Sequence, residues 1–252
     1  MLLHTIAPTG FGKTLTSWIP LLFNNDGVII VVTALKILGD QNVKELERLG
    51  ISAVNLTGDT ATDMVFQVCY STHLLSIILI PLKDIEAGKH RVILVSPEKI
   101  LKDQRFSRLW ESKKFLSKLF NISFDEGHCI SQWGKEFRLE YAELGRLRWI
   151  LPSHVRFHVV SATMPELVLD DVKTKLNMRP ETTTVIKCSN DRPNIHIMVE
   201  EMQYSPNSIH DIEQILRLRV LNADRPCKFM IFANRRQETE SHTEKMWGLP
   251  LF

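Results

Sequence analysis

Two short stretches carry the residue types that could do chemistry. Ala7 to Thr14 reads APTGFGKT, and Phe124 to Arg138 reads FDEGHCISQWGKEFR. The first fits the spacing GxxxxGK[ST] apart from Ala7, which stands where the leading glycine belongs. Gly10 and Gly12 let the backbone curl, so that successive N–H groups converge on phosphate oxygens. Lys13 would neutralise the β and γ phosphates, Thr14 would offer its hydroxyl to Mg²⁺, and a helix beginning there would aim its positive end at the anion. Thr9 and Phe11 complete this nucleotide-binding set. A glycine-rich turn with a chance lysine is the plain alternative.

A phosphate loop of this kind needs an acidic partner at the end of a neighbouring strand, where one carboxylate holds the metal through water and another polarises the attacking water. Asp125 and Glu126 follow the apolar run NISF and suit those two roles, Asp125 for Mg²⁺ and Glu126 for water. Consecutive strand residues face opposite ways, so both can reach one nucleotide only where the strand ends and the chain bends. The competing reading is an ordinary acidic turn. His128 by itself would pass as a structural histidine, and it gains interest from standing two residues after Glu126.

Those side chains need a frame. Apolar, β-rich runs recur at 27–33, 51–56, 91–96, 121–124 and 156–162, with LLHTIA ahead of the phosphate loop. Most are apolar throughout, which predicts strands of a parallel sheet buried on both faces. Between them lie helical patterns. Leu38, Val43, Leu46 and Leu49 form one apolar stripe with Gly50 as its stop. Leu167, Val168, Val172 and Leu176 form another after Pro165. A third starts at Ser208 with Asp211 as a weak cap, and turns Ile209, Ile212 and Ile215 or Leu216 inward. After the phosphate loop LTSWIPLLF suits a helix kinked at Pro20. The sum is an α/β fold, a mostly parallel sheet with helices on both faces. The pattern pauses at KCSNDRPN, which divides the chain into a first domain, 1–189, and a smaller second unit, 190–252.

Bulk composition narrows the class without choosing a partner. The 252 residues are 44% hydrophobic, ample for a packed core, and a net charge of +2 neither announces nor excludes a polyanion. Four separate cysteines show no zinc-ligand spacing or disulfide framework, which fits reduced thiols inside a cell. The apolar run Leu74 to Leu82 is about half the ~20 residues of a membrane span, so no membrane association is expected.

Taken in order, PTGFGKT, SPEKIL, DEGHCISQWGKEFR, SATMP and DRPN resemble the RecQ family of DNA helicases within superfamily two. HCISQWG is the most specific piece, VVTALKILGDQ is similar to the family's motif Ia, and FANRRQETE to its motif IV. The resemblance implies a RecA-like P-loop domain, with the second unit as the start of another. It implies a motor that spends Mg·ATP to move 3′ to 5′ along single-stranded DNA and open the duplex, with a nuclear location. The loop after the acidic pair would place Trp133, Phe137 and Arg138 against the strand, and aromatic faces accept any base by stacking. Thr33, Leu35, Gln41 and Ser96 fall in segments that contact the DNA backbone in such helicases, although each alone would pass as a loop or cap residue. Ser161 and Thr163 match the SAT motif that links the nucleotide side to the nucleic-acid side, or simply pack small side chains at a strand end.

Several departures qualify that expectation. Gly127 stands where the family has alanine, which predicts a slightly looser turn. Lys135, Glu136 and Leu139 also differ from the family pattern. The stretch 68–83 reads as an insert foreign to the family. An upstream adenine-reading segment and the later motifs with their transition-state arginine are missing from the sequence, so a core truncated at both ends and impaired in turnover is expected. A catalytically weak or dead ATP- and DNA-binding remnant and an RNA-directed DExH ATPase are the alternatives. Protein partners are not indicated.

Overall fold

The computed structural model describes residues 2–24, 26–33, 36–56, 85, 89–132, 139–205, 208, 210–216, 230–232 and 240, without side chains at 2, 36–38, 132 and 216. Leu35, Ile209, Trp133, Phe137, Arg138, the stretch 68–83 and the segment 233–239 therefore lie outside the described residues. The chain divides into two compact units, Met1–Asp191 and Arg192–Phe252.

In the first unit, β1 (Leu2–Ile6) leads through the phosphate loop to α1 (Lys13–Trp18). Then come β2 (Val28–Val32), α2 (Lys36–Arg48), β3 (Ala53–Leu56) and β4 (Val92–Val95). Three short helices follow, α3 (Pro97–Lys102), α4 (Gln104–Glu111) and α5 (Lys113–Lys118), before β5 (Leu119–Phe124). Next are α6 (Cys129–Gln132), α7 (Leu139–Glu143), α8 (Leu147–Ile150) and β6 (Arg156–Ser161). The unit closes with α9 (Glu166–Lys175) and β7 (Thr183–Lys187).

The seven strands form one sheet in the order β3-β4-β2-β5-β6-β1-β7, and every described pair is parallel. Alternation along β2 shows why its run is apolar throughout. Val28, Ile30 and Val32 enter a core with Phe106, Phe115, Phe157 and Leu169, whereas Ile29 and Val31 meet Trp18, Leu21 and Leu46 on the opposite face. Helices thus cover both faces, with α1 and α2 on one and α3, α4, α5 and α9 on the other.

Three expectations need correction. The strand of the acidic pair is not the neighbour of the phosphate-loop strand, because β6 lies between β1 and β5. Leu49 and Leu167 are exposed rather than inward. Leu49 lies past the end of α2, where Gly50 turns the chain at φ 73°, and Leu169 takes the buried place expected of Leu167 in the first turn of α9. Pro20 ends α1 as an α-helix, and the chain continues as a 3₁₀ turn over Ile19–Phe23. β7 was not anticipated. Its residues are largely exposed, although Thr183, Thr184, Val185 and Ile186 supply the β-branched run that an edge strand favours.

In the second unit α10 (His210–Leu216) is described. Asp211 does not cap it from Ser208. Its carboxylate instead accepts from the backbone N–H groups of Gln203 and Tyr204 at 3.0 and 3.2 Å, fastening the preceding loop. Ile215 is exposed, and the side chain of Leu216, the other candidate for that inward place, lies outside the description.

Candidate nucleotide site

The parallel sheet delivers the candidate residues to one edge. Backbone hydrogen bonds carry the ladder past the strand ends: Thr33 N–H donates to Val95 O, Asp125 N–H to Val32 O, Gly127 N–H to Val160 O and Ala7 N–H to Ser161 O. Ser96, Thr33, Asp125, Ser161 and the phosphate loop therefore stand side by side at the carboxyl ends of β4, β2, β5, β6 and β1. With ~4.8 Å between strands, the row from Ser96 to the loop spans ~19 Å. Open parallel sheets place ligands outside this edge.

The phosphate loop has the backbone its glycines predict. Gly10 and Gly12 adopt φ of 87° and 75°, in the left-handed region that other residues avoid, and a Cβ on Gly10 would meet nothing within 4 Å. Gly12 caps α1, with no side chain occupying the helix start. Thr9, Phe11 and Thr14 are exposed and Lys13 is half-buried. The open loop, the free helix start and the lysine suit a polyphosphate.

Across the intervening strand, Asp125 and Glu126 stand where the chain leaves β5. Glu126 takes φ 48°, a strained value for a side-chain-bearing residue, and this bend frees Glu126 from the alternation of the strand that Asp125 still follows. The Glu126 N–H donates to Asp125 Oδ1 at 3.0 Å. Burial, and then repulsion from Glu126, raises the Asp125 carboxyl to about 6, against the smaller downward pull of the Glu126 N–H and the Lys13 ammonium. The pull of the Lys13 charge on Asp125 accords with the phosphate loop and the acidic turn leaving the same sheet edge.

His128 joins the acidic turn to the SAT segment. Its Nδ1 lies 2.9 Å from Ser161 Oγ and 3.3 Å from Glu126 Oε2. Ser161 spends its one hydroxyl proton on Thr163 O at 2.9 Å, so the hydrogen-bond network assigns the proton between Ser161 and His128 to Nδ1. Nε2 faces Cys129 Sγ at 3.6 Å. Thr163 presents its carbonyl here and is exposed.

The remaining candidates divide. Thr33 is buried, and its Oγ1 has no hydrogen-bond partner among the described residues. Ser96 caps α3, accepting from Lys99 N–H. Gln41 is exposed within α2.

Sequence reasoning missed a polar layer under the site. Ser17, Ser123, His158 and Thr5 are buried and joined by hydrogen bonds on the α1 face of the sheet. Its signal was a polar residue inside each of three apolar runs. Burial, and then the charge of His4, lowers the His158 imidazole to about 4.

Comparison with known proteins agrees with this geometry. The family model described as DEAD/DEAH box helicase matches residues 3–172. ATP-dependent DNA helicase Q1 of Rattus norvegicus is 31% identical over 214 residues, which is 84% of this chain and 32% of that protein. ATP-dependent DNA helicase RecQ of Haemophilus influenzae is 31% identical over 241 residues, 96% of this chain and 34% of that protein. The chain thus spans about a third of the length of these relatives. Among solved structures, the DUF1998 helicase MrfA bound to DNA and AMPPNP superposes with a TM-score of 0.64 at 18% identity, over 97% of this chain and 34% of that one, a likeness of fold. The matched segment holds the phosphate loop, the acidic turn and the SAT strand, and the chain belongs to the DEAD/DEAH box helicase family, with RecQ-type DNA helicases among its relatives.

Proposed function

We propose that the chain binds Mg·ATP at this edge and forms the ATPase core of a RecQ-like helicase that moves 3′ to 5′ along single-stranded DNA and opens the duplex. The observation that carries this reading is that the phosphate loop with Lys13 and the turn with Asp125 and Glu126 leave the same edge of one parallel sheet, the lysine charge acting on the aspartate across an intervening strand. The similarity to named DNA helicases supports DNA over RNA as the track. DNA as the partner carries with it a nuclear location in a eukaryotic cell. Among the described residues no helix is long and apolar enough to cross a membrane.

The donors fit such a ligand. Thr14 and Asp125 would hold Mg²⁺, which when bound neutralises charge on the β and γ phosphates. The N–H groups from Thr9 to Lys13 cradle phosphate oxygens, and the Lys13 ammonium adds a point charge to them. Glu126 orients and polarises the attacking water. His128, held by Ser161, contacts Glu126 and makes its position sensitive to the SAT segment. Trp133, Phe137 and Arg138 stack on and pair with the strand, Thr33, Leu35, Gln41 and Ser96 meet its backbone, and residues 190–252 begin a second RecA-like domain.

An ATPase assay with and without single-stranded DNA tests the proposal. DNA-stimulated turnover that Lys13→Ala or Glu126→Gln abolishes is expected. Nucleotide binding without turnover in the wild-type chain would reduce it to a binding module, and stimulation by RNA alone would reassign its track.

A further inference from the structure

The polar layer beneath the site stands in register with it. Lys13 and Ser17 are four residues apart on α1 and so share a helix face. Ser123 and Asp125 are two apart, and the bond from Asp125 N–H to Val32 O keeps Asp125 in the ladder, on the same side of the sheet as Ser123. The buried hydroxyls of Ser17 and Ser123 are 2.8 Å apart. The Ser17–Ser123 contact is therefore the helix–strand contact one step behind the approach of Lys13 to Asp125, ~6 Å back along the helix and ~7 Å back along the strand.

The bond is itself anchored. Ser123 Oγ lies 3.2 Å from His158 Nδ1, and His158 Nε2 lies 3.0 Å from Thr5 Oγ1. One chain of hydroxyls and an imidazole thus joins α1, β5, β6 and β1, the elements that lead into the phosphate loop, the acidic turn and the SAT segment. Apolar surfaces can slide past one another at little cost, whereas a buried hydrogen bond has one distance and direction, and breaking it leaves unpaired groups.

We infer that Ser17 and Ser123 are positioning residues whose hydrogen bond sets how closely Lys13 stands to Asp125. The consequence for turnover rests on the nucleotide reading above, but the separation itself is a property of the chain without ligand. Ser17 and Ser123 touch no phosphate and act through Lys13 and Asp125.

The test compares crystal structures of the full chain without nucleotide, wild type against variants. Ser17→Ala and Ser123→Ala should each lengthen the separation of the Lys13 ammonium from the Asp125 carboxylate by about 1 Å. The double variant should lengthen it no further than one single, because both break the same bond. ATP turnover should fall about tenfold in kcat with KM within threefold, a split that general loss of fold does not produce. If Ser123→Ala does not fold, Ser17→Ala carries the same comparisons. An unchanged separation overturns the positioning role and leaves the nucleotide reading standing. A lengthened separation in a chain that neither binds nor hydrolyses ATP keeps the positioning role and overturns the nucleotide reading.

Discussion

Gly127 stands so close to Val159 that a Cβ built on it would lie 2.2 Å from the valine Cγ1. The glycine in the acidic turn is therefore a fitted part rather than a loosened one, since the Gly127 N–H also donates to Val160 O at 2.8 Å. Val159 is buried and β-branched, with little freedom to yield. Gly127→Ala should cost about 1–3 kcal/mol by overpacking. Val159→Ala in the same chain should return part of that loss, so urea unfolding of the two single variants and the double should give a favourable coupling. Simple additivity would show that the turn has room to spare.

Asp125 should cost the fold stability at neutral pH. Its carboxyl titrates near 6 in the folded chain against 3.8 when unfolded, so between those values the folded state binds more protons. Stability contributed by this group is full below pH 3.8 and falls as pH rises through 6, by at most about 3 kcal/mol. Asp125→Asn should unfold at higher urea than the wild type at pH 7.5, match it near pH 4, and lose ATP turnover. Equal midpoints at both pH values would mean that the carboxylate is fully compensated in the folded state.

Local pattern carried much of this fold. The core strands β2 and β4 are apolar on both faces and β5 and β6 are largely apolar, and the chain leaves little else for such runs to be. β7 escaped notice because an edge strand lacks that continuous apolar signal. Strand order lay beyond the local pattern too, since nothing in the residues of β1 and β5 says that β6 will pass between them. In the site, Gly10, Gly12, Lys13, Asp125 and Glu126 were legible because their chemistry demands particular residue types at fixed spacing. Ser17 and Ser123 were not, because a serine 106 positions from its partner carries no mark of the pairing.

His4 should make the fold acid-sensitive. It is buried, its Nε2 lies 3.0 Å from Met178 Sδ, and its Nδ1 has no partner among the described residues. Burial, then the charge of Lys173, lowers its imidazole from 6.5 to about 4. Between those values the unfolded chain holds the extra proton, so this contribution is intact above pH 6.5 and is lost as pH falls toward 4. His4→Leu should be at least as stable as the wild type at pH 7.5 and should lose up to about 3 kcal/mol less on going to pH 4.5, read from urea midpoints. An unchanged loss would assign the acid limb to His158, whose imidazole is lowered in the same direction.

Ser161→Ala should separate the two sides of the site. Ser161 accepts the His128 Nδ1–H and donates to Thr163 O, so it fixes the imidazole from the SAT side while Glu126 meets the same N–H from the water side. Removing the hydroxyl leaves the carboxylate as the stronger claimant on that proton and releases Thr163 from the histidine. The ratio of DNA-stimulated to unstimulated ATP turnover should fall about tenfold, an effect of the size that a positioned hydrogen-bonding group commonly has on a reacting centre. Affinity for Mg·ATP should stay within threefold, because no phosphate donor has been touched. Loss of affinity with an unchanged ratio would place Ser161 in the phosphate cradle and remove it from the coupling path.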